Sequence, residues 1–187
     1  GQRVIQIDID PEELGRNYEN TMGIHGDARS SMEELHKALS AAAPARPEDK
    51  EAINKLKELR AESSIRVEPQ DSLIAAVRSA MPDDGILISG MTQLGYYSRT
   101  YFPVYQPQSF LTSSYFGNLG YAYPTALGAK VAQPDKAVVA LSGDGGFLFN
   151  SQELATAVQH GINAVVVVFN DNAYGNVLRD QVNRFDG

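Results

Sequence analysis

The sequence contains no cysteine and no tryptophan among its 187 residues. The absence of cysteine excludes disulfides, thiolate metal sites and cysteine nucleophiles, and it is compatible with a reducing compartment. No apolar run approaches the roughly 20 residues that a membrane-spanning helix needs, and no basic and then apolar leader opens the chain. Lysine and arginine form no dense cluster with interleaved aromatics, and the net charge is −7. We therefore expect a cytoplasmic protein that binds neither membranes nor nucleic acid.

Several common catalytic patterns are also missing. The three histidines, His25, His36 and His160, have no metal-site spacing, and no Ser-His-Asp, Walker-type or GxGxxG pattern occurs. With 43% hydrophobic and 21% charged residues, the composition is that of an ordinary globular protein with one sizeable core. The chemistry must therefore come from other residues.

The most informative stretch runs from Ala140 to Gly175. An apolar run at residues 137–141 ends in Ser-Gly-Asp-Gly-Gly, which predicts a buried strand leaving a sheet. Apolar residues at 147–158 recur at helical spacing and predict one amphipathic helix that ends at His160 and Gly161. A second, β-branched run at 162–169 predicts a strand buried on both faces.

This order of strand, helix and strand predicts a βαβ unit. Its two loops lie at the same carboxyl edge of the sheet, so Asp144 and Asp171 should face one another across a crevice. Two carboxylates, glycine-supplied amides and a free main-chain carbonyl are what a Mg²⁺ ion shared with a diphosphate requires.

The pairing of GDGG at 143–146 with FNDNAYG at 169–175 resembles the diphosphate-binding domain of thiamine diphosphate (ThDP) enzymes of the acetolactate synthase and 2-oxo acid decarboxylase family. The resemblance implies a doubly wound, mostly parallel α/β sheet flanked by helices, with ThDP and Mg²⁺ as cofactors. It implies Asp144, Asp171 and the carbonyl of Ala173 as metal ligands. The family usually has asparagine at the position of Asp171, so the extra charge should make cofactor binding weaker or more pH-dependent.

The resemblance assigns further residues to the cofactor. A short strand at 85–88 is followed by Thr92 and Gln93, which either reach the diphosphate or form a polar turn with a capping threonine. Leu119 matches the residue that bends the cofactor, although close packing also explains the small residues around it. The predicted cofactor-binding residues are Thr92, Gln93, Gly117, Asn118, Leu119, Gly143, Asp144, Gly145, Gly146, Asp171, Ala173, Tyr174 and Gly175.

The resemblance also predicts the domain organisation. Residues 1–45 should be the tail of a central Rossmann-like domain and the start of a linker, and 46–187 a diphosphate domain cut short at its carboxyl end. In the first part we predict a strand at 2–10 and a helix capped by Ser30 or Ser31. An exposed helix with an apolar stripe at Ile53, Leu56 and Leu59 should follow.

The activity that the resemblance implies is decarboxylation or carboligation of a 2-oxo acid. The glutamate that starts proton transfer in this family belongs to a pyrimidine-binding domain, normally on the partner subunit of a homodimer or homotetramer. This sequence lacks that domain, so we assign no catalytic acid or base and expect the isolated chain to be inactive. Synthases usually carry tryptophan after the second motif, whereas GNVLRDQ follows here, with Asn176 and Arg179 as candidate pocket neighbours. A decarboxylase or a carboligating relative fits at least as well.

Two alternatives come from other functional classes. The same sheet could serve a noncatalytic phosphate- or nucleotide-binding module. Alternatively, the segment could serve subunit assembly. Its aromatic cluster favours a core or a subunit contact over stacking on a ligand. The cluster consists of Tyr96, Tyr97, Tyr101, Phe102 and Tyr105.

Overall fold

The computed structural model describes residues 3–19, 21–43, 47–113 and 116–185. They belong to two compact units, Gly1–Ser64 and Ile65–Gly187. The domain boundary predicted at residues 45 and 46 lies outside the described residues and stays a prediction. The predicted start of the first strand, at residue 2, also lies outside them.

The first unit contains two parallel strands and two helices, with Val4 opposite Thr21. The first helix is capped by Asp27, whose Oδ1 accepts a hydrogen bond of 3.0 Å from the Ser30 backbone N–H. The predicted cap at Ser30 or Ser31 was therefore wrong, because a capping side chain must precede the amides that it binds. The elements are β1 (Val4–Asp8), a 3-10 turn (Pro11–Glu13), β2 (Thr21–His25), α1 (Ala28–Ala42) and α2 (Lys50–Ser63). The predicted stripe on α2 is exposed, at Ile53, Leu56 and Leu59.

The second unit is built on a four-stranded sheet in the order β4-β3-β5-β6, in which every pairing is parallel. No helix in the described ranges is both long and apolar enough to cross a membrane. The elements are α3 (Gln70–Ala80), β3 (Ile86–Ser89), α4 (Gln93–Tyr101), β4 (Phe110–Thr112), α5 (Ala122–Ala132), β5 (Val138–Gly143), α6 (Asp144–Leu148), α7 (Glu153–His160), β6 (Val165–Phe169) and α8 (Gly175–Phe185).

Helices cover both faces of this sheet. Successive side chains of a strand point to opposite faces. Leu87 and Leu141 pack in one apolar cluster with residues of α3 and α4, and Ile88 and Ala140 pack in a second cluster with Ala126 of α5. The predicted doubly wound α/β fold with a parallel sheet is confirmed.

The predicted helix at 147–158 is in fact two helices, α6 and α7. Between them Asn150 Nδ2 donates a hydrogen bond of 2.8 Å to the carbonyl oxygen of Gly120. The backbone here forms a turn, in which the Asn150 N–H donates to the carbonyl of Phe147 and the Glu153 N–H donates to the carbonyl of Asn150, each over 3.1 Å. The side-chain contact of Asn150 ties this turn to a distant loop. Helical periodicity continues through the turn, so the sequence alone did not reveal the break.

The predicted strand at 162–169 is shorter and more exposed than expected. It begins at Val165 and pairs, among the described elements, with β5 on one side. Val165 is 53% exposed and Val168 is 37% exposed. Burial on both faces was therefore wrong for this chain, because β-branched residues favour a strand without fixing its place in the sheet.

Candidate functional site

The strand order places a switch point between β3 and β5. From β3 the chain continues to β4 on one side, and β5 pairs with the other side. Ligands of open α/β sheets bind outside the carboxyl ends of the strands at such a point. A cavity of about 220 Å³ lies here. All predicted site residues except Asn118 line it: Thr92, Gln93, Gly117, Leu119, Gly143, Asp144, Gly145, Gly146, Asp171, Ala173, Tyr174 and Gly175.

The β3 side of the cavity depends on close backbone packing of α4. The Gly90 N–H donates to the carbonyl of Leu141 over 2.9 Å, and a Cβ at Gly95 would overlap the carbonyl oxygen of Gly90. The hydroxyls of Ser89 and Ser98 lie 2.9 Å apart, and both bond to the carbonyl of Gly95. These contacts fix the start of α4 at the sheet edge.

Thr92 is the N-cap residue of α4, and Gln93 is the first residue of that helix. The Thr92 side chain makes no capping hydrogen bond. The first amides of a helix have no intrahelical acceptor. They are therefore left without a side-chain cap at the edge of the cavity, where an anion could accept their hydrogen bonds.

The start of α6, directly after β5, and the loop after β6 are in direct contact. A Cβ at Gly145 would lie 2.6 Å from the ring of Tyr174, so the ring covers the backbone of this glycine. Gly143 opposes Phe169 in the β5–β6 register, which brings both segments to one edge of the sheet. The two motifs identified in the sequence thus form one side of the cavity.

The loop after β6 is held by its own side chains. Asn170 Oδ1 accepts a hydrogen bond of 2.9 Å from the Asn172 N–H, and Asp171 Oδ1 accepts one of 3.3 Å from the Ala173 N–H. Asn172 has φ 59°, a left-handed conformation that asparagine tolerates. These bonds fix the turn that presents Asp171 to the cavity.

Two carboxylates, those of Asp144 and Asp171, line the same cavity. Among the described residues, no cluster of three or more histidine, cysteine, aspartate or glutamate side chains could hold a metal ion. A metal bound here would therefore take its other ligands from main-chain carbonyls, water or a bound molecule. All of these are hard oxygen ligands, which suit Mg²⁺.

The segment between β4 and α5, which contains Gly117 and Leu119, forms another side of the cavity. A Leu119 methyl carbon lies 3.8 Å from the place that a Cβ on Gly146 would take. Gly120 has φ 79°, and Asn150 holds its carbonyl. Asn118 does not line the cavity. Its backbone N–H donates to Ser113 Oγ over 3.1 Å.

The cavity also contains residues that the sequence reading missed. Met91, Phe169 and Val177 line it, and Met91 could have been found because it directly precedes the predicted residue Thr92. Tyr96 lines the cavity too, whereas Phe102 of the same aromatic cluster is buried in the core. Asn176 lines the cavity as expected, and Arg179 does not.

Comparison with known proteins identifies the family to which this chain is similar. Residues 90–187 match the family model described as "Thiamine pyrophosphate enzyme, C-terminal TPP binding domain". The chain is 34% identical to the "Probable acetolactate synthase large subunit" of Methanococcus aeolicus, over 96% of this chain and 33% of the relative. It is 34% identical to the "Probable 2-ketoarginine decarboxylase AruI" of Pseudomonas aeruginosa, over 96% of this chain and 32% of the relative. It is 27% identical to the "Sulfoacetaldehyde acetyltransferase" of Castellaniella defragrans, over 98% of this chain and 35% of the relative. The chain therefore spans about a third of the length of these curated relatives.

Proposed function

The chain belongs to the thiamine pyrophosphate enzymes, with their C-terminal TPP-binding domain over residues 90–187, and on this premise we propose that its cavity holds ThDP by the diphosphate. The family's cofactor is ThDP with Mg²⁺. The reaction we propose for the enzyme is decarboxylation or carboligation of a 2-oxo acid. The observation that carries the proposal is that the β5–α6 junction and the loop after β6 bring Asp144, Asp171 and the glycines of GDGG into one cavity.

The donors around the cavity fit an anionic diphosphate. The helices α4 and α6 start at its edge, and neither has a side-chain cap on its first amides. Gly145 and Gly146 both line the cavity, and Gly145 lies against the Tyr174 ring with no room for a Cβ. A helix N-terminus and exposed amides attract negative charge.

The acidic side chains fit a divalent cation. We propose that Asp144, Asp171 and the carbonyl of Ala173 would hold Mg²⁺, a hard cation that takes oxygen ligands. Two carboxylates beside a diphosphate would repel it if no metal were bound. A bound divalent cation would offset this repulsion.

A bound ThDP would supply a nucleophilic carbon and, in its cationic ring, an electron sink for decarboxylation chemistry. The residues of this chain hold and orient it. Thr92 and Gln93 stand at the start of α4, and Gly117 and Leu119 form the side after β4. A large apolar side chain at Leu119 excludes water and restricts the shape of the bound molecule. Positioning of this kind is a recognised source of rate acceleration.

Proton transfer is assigned to another part of the enzyme. No acid or base of this chain is given that role, and we propose that a glutamate of a pyrimidine-binding domain on a partner subunit supplies it, in a homodimer or homotetramer. The chain alone is expected to be inactive, and its cytoplasmic location stays a prediction.

Relatives named as a synthase, a decarboxylase and an acetyltransferase are 34%, 34% and 27% identical to this chain over the aligned residues. The absence of tryptophan from the sequence, and so from the segment after Gly175, favours a decarboxylase or a carboligating relative over a biosynthetic synthase.

Calorimetric titration with ThDP tests the proposal. We expect binding that requires Mg²⁺ and disappears with a chelator. Asp144→Ala should weaken binding by about a hundredfold or more, since even the outer partners of metal ligands contribute 10- to 100-fold. Asp135→Ala removes the same charge from a residue that does not line the cavity, and it should change the affinity less than about twofold.

The two alternatives predict different results. A noncatalytic nucleotide-binding module would bind ATP without Mg²⁺ and would be indifferent to Asp144→Ala. A pure assembly domain would form dimers in size-exclusion chromatography and bind neither ligand. Either outcome would contradict the ThDP proposal.

A further inference from the structure

Arg99 lies on α4 beside two residues of the cavity lining. Its Nη2 lies 3.3 Å from Met91 Sδ, and its Cζ lies 5.5 Å from the centre of the Tyr96 ring. Met91 and Tyr96 both line the cavity. A guanidinium over an aromatic ring is held by a cation–π interaction. The positive charge of Arg99 is therefore kept next to the cavity.

The partners of Arg99 differ from those of other arginines in this chain. Arg16 pairs with Glu13 and Arg66 pairs with Asp71. Arg78 donates to backbone carbonyls, including that of Met81 over 2.8 Å. Within the described part of the chain, Arg99 forms no ion pair with a carboxylate, and its acceptor is a thioether, which is a weak one. A guanidinium has five N–H donors, so Arg99 can still bind an anion.

Arg99 stands on the β3 side of the cavity. Met91 Sδ, its partner, lies 3.3 Å from the place that a Cβ on Gly117 would take. Asp144 is the first residue of α6, directly after β5, and Asp171 belongs to the loop after β6. The strand order places β6 on the far side of β5 from β3. The cavity thus has acidic residues over β5 and β6 and a cation beside its β3 side.

We propose that Arg99, held by Tyr96 and Met91, binds a carboxylate that the substrate retains through the reaction. The ligand class rests on the proposed function. Tight binding of the carboxylate that leaves as CO₂ would stabilise the ground state and slow the reaction. The retained group is therefore the carboxylate of an acceptor 2-oxo acid or the second carboxylate of a dicarboxylic one. Arg99 is a specificity-determining residue that selects anionic over uncharged carbonyl compounds.

The methionines provide a direct probe of this site. The sequence has four, of which Met91 contacts Arg99 and Met81 is buried in the core. In the full chain labelled with ¹³C at the methionine methyls, Met91→Leu assigns the reporting signal. We expect pyruvate and 2-oxoglutarate to shift the Met91 signal saturably and to leave the Met81 signal in place. If 2-oxoglutarate binds more tightly than pyruvate, the substrate is a dicarboxylic 2-oxo acid. If the two acids bind equally, Arg99 binds the single carboxylate of an acceptor 2-oxo acid.

Substitutions of Arg99 test whether its guanidinium binds the carboxylate of the two acids. Arg99→Gln should weaken binding of both acids by roughly tenfold or more, since hydrogen bonds to charged groups are strong and 1.4 kcal/mol is a factor of ten. Arg99→Lys should retain part of the affinity. Arg184→Gln removes the same charge from the last turn of α8 and should have no effect. Methyl pyruvate, the uncharged ester, should bind weakly, and Arg99→Gln should not change its affinity. An unchanged Met81 signal shows that the variants are folded.

Equal affinities of Arg99→Gln and the wild-type chain for the two acids would overturn the proposal, as would equal binding of methyl pyruvate and pyruvate. A parallel titration with ThDP and Mg²⁺ separates this result from the proposed function. If ThDP binds but the affinity for the two acids does not depend on Arg99, the proposed anion site is wrong and the proposed function stands. If ThDP does not bind but the affinity for the acids does depend on Arg99, the anion site stands and the proposed function is wrong.

Discussion

Gln93 Nε2 donates a hydrogen bond of 2.7 Å to Asn176 Oδ1, joining residues 83 positions apart in the chain. Gln93 is the first residue of α4, and Asn176 follows the first residue of α8. Both line the cavity. The bond therefore connects two helix N-termini across the proposed diphosphate site.

A double-mutant cycle with Gln93→Ala and Asn176→Ala measures this connection. Because both side chains are polar and the bond is exposed, we expect a coupling of about 0.5–1 kcal/mol in the free energy of unfolding. Urea denaturation of the wild type, both single variants and the double variant gives the value. Strictly additive effects would show that the bond contributes nothing in solution.

Two glycines in helices should respond to alanine in opposite directions. A Cβ at Gly95 would overlap the backbone carbonyl of Gly90, whereas a Cβ at Gly128 of α5 would meet no atom within 4 Å. Gly95→Ala should lower the free energy of unfolding by roughly 3 kcal/mol, because backbone cannot move aside cheaply. Gly128→Ala should raise it by about 0.5–1 kcal/mol, because glycine is a poor helix former.

Chemical denaturation of the two variants checks this contrast. Gly128→Ala serves as the matched control, since both changes add one methyl group to a helix. A Gly95→Ala variant as stable as the wild type would mean that α4 can move away from β3. The start of α4 at the cavity would then be less rigid than the buried serine contacts suggest.

Replacing Asp171 with asparagine should separate metal binding from cofactor binding. Loss of one carboxylate should weaken Mg²⁺ binding in the absence of ThDP, because the ion loses a charged ligand. With saturating Mg²⁺, ThDP should bind several-fold more tightly, because one negative charge beside the diphosphate is removed. Calorimetry with each ligand alone and with both together measures the two effects. Weaker ThDP binding under saturating Mg²⁺ would show that the carboxylate is required.

The acid stability of the second unit should depend on Asp71. Tyr97 OH donates to Asp71 Oδ1 over 2.7 Å, and Arg66 lies 2.6 Å from the same oxygen. These bonds, that of Tyr97 first, lower the pKa of Asp71 below its ordinary value of 3.8. The Asp71 carboxylate therefore binds a proton less readily in the folded state than in the unfolded state. Its contribution to the free energy of unfolding is fully present at a pH above 3.8, and it is lost as the pH falls through the lowered pKa.

Asp71→Asn removes this titration while keeping the size of the side chain. Its Tm should be below that of the wild type near neutral pH, and the difference should shrink in strong acid. Thermal unfolding followed by circular dichroism over the acidic range checks both points. A difference in Tm that stays constant with pH would show that the charge of Asp71 is not the cause.

Local sequence was sufficient for the α/β fold and for the placement of Asp144 and Asp171 at one edge, whereas the family resemblance supplied most other residues of the cavity. Strands such as β3 and β5 end at glycine-rich segments, and parallel strands carry such segments to one edge of the sheet. Asp144 and Asp171 could therefore be placed together without knowledge of any tertiary contact. Gly161 was likewise predictable as a helix end, because its φ of 62° is a conformation that glycine adopts without a Cβ penalty.

Tertiary structure decided the features that depend on residues far apart in the chain. The break between α6 and α7 coincides with the bond of Asn150 to Gly120, which helical periodicity does not reveal. The exposure of β6 follows from its place at the sheet edge, which β-branched composition does not specify. The bond of Gln93 to Asn176 and the placement of Arg99 against Met91 also required coordinates. Hydrophobic period and turn chemistry act over a few residues, whereas these contacts form only after the whole sheet has been assembled.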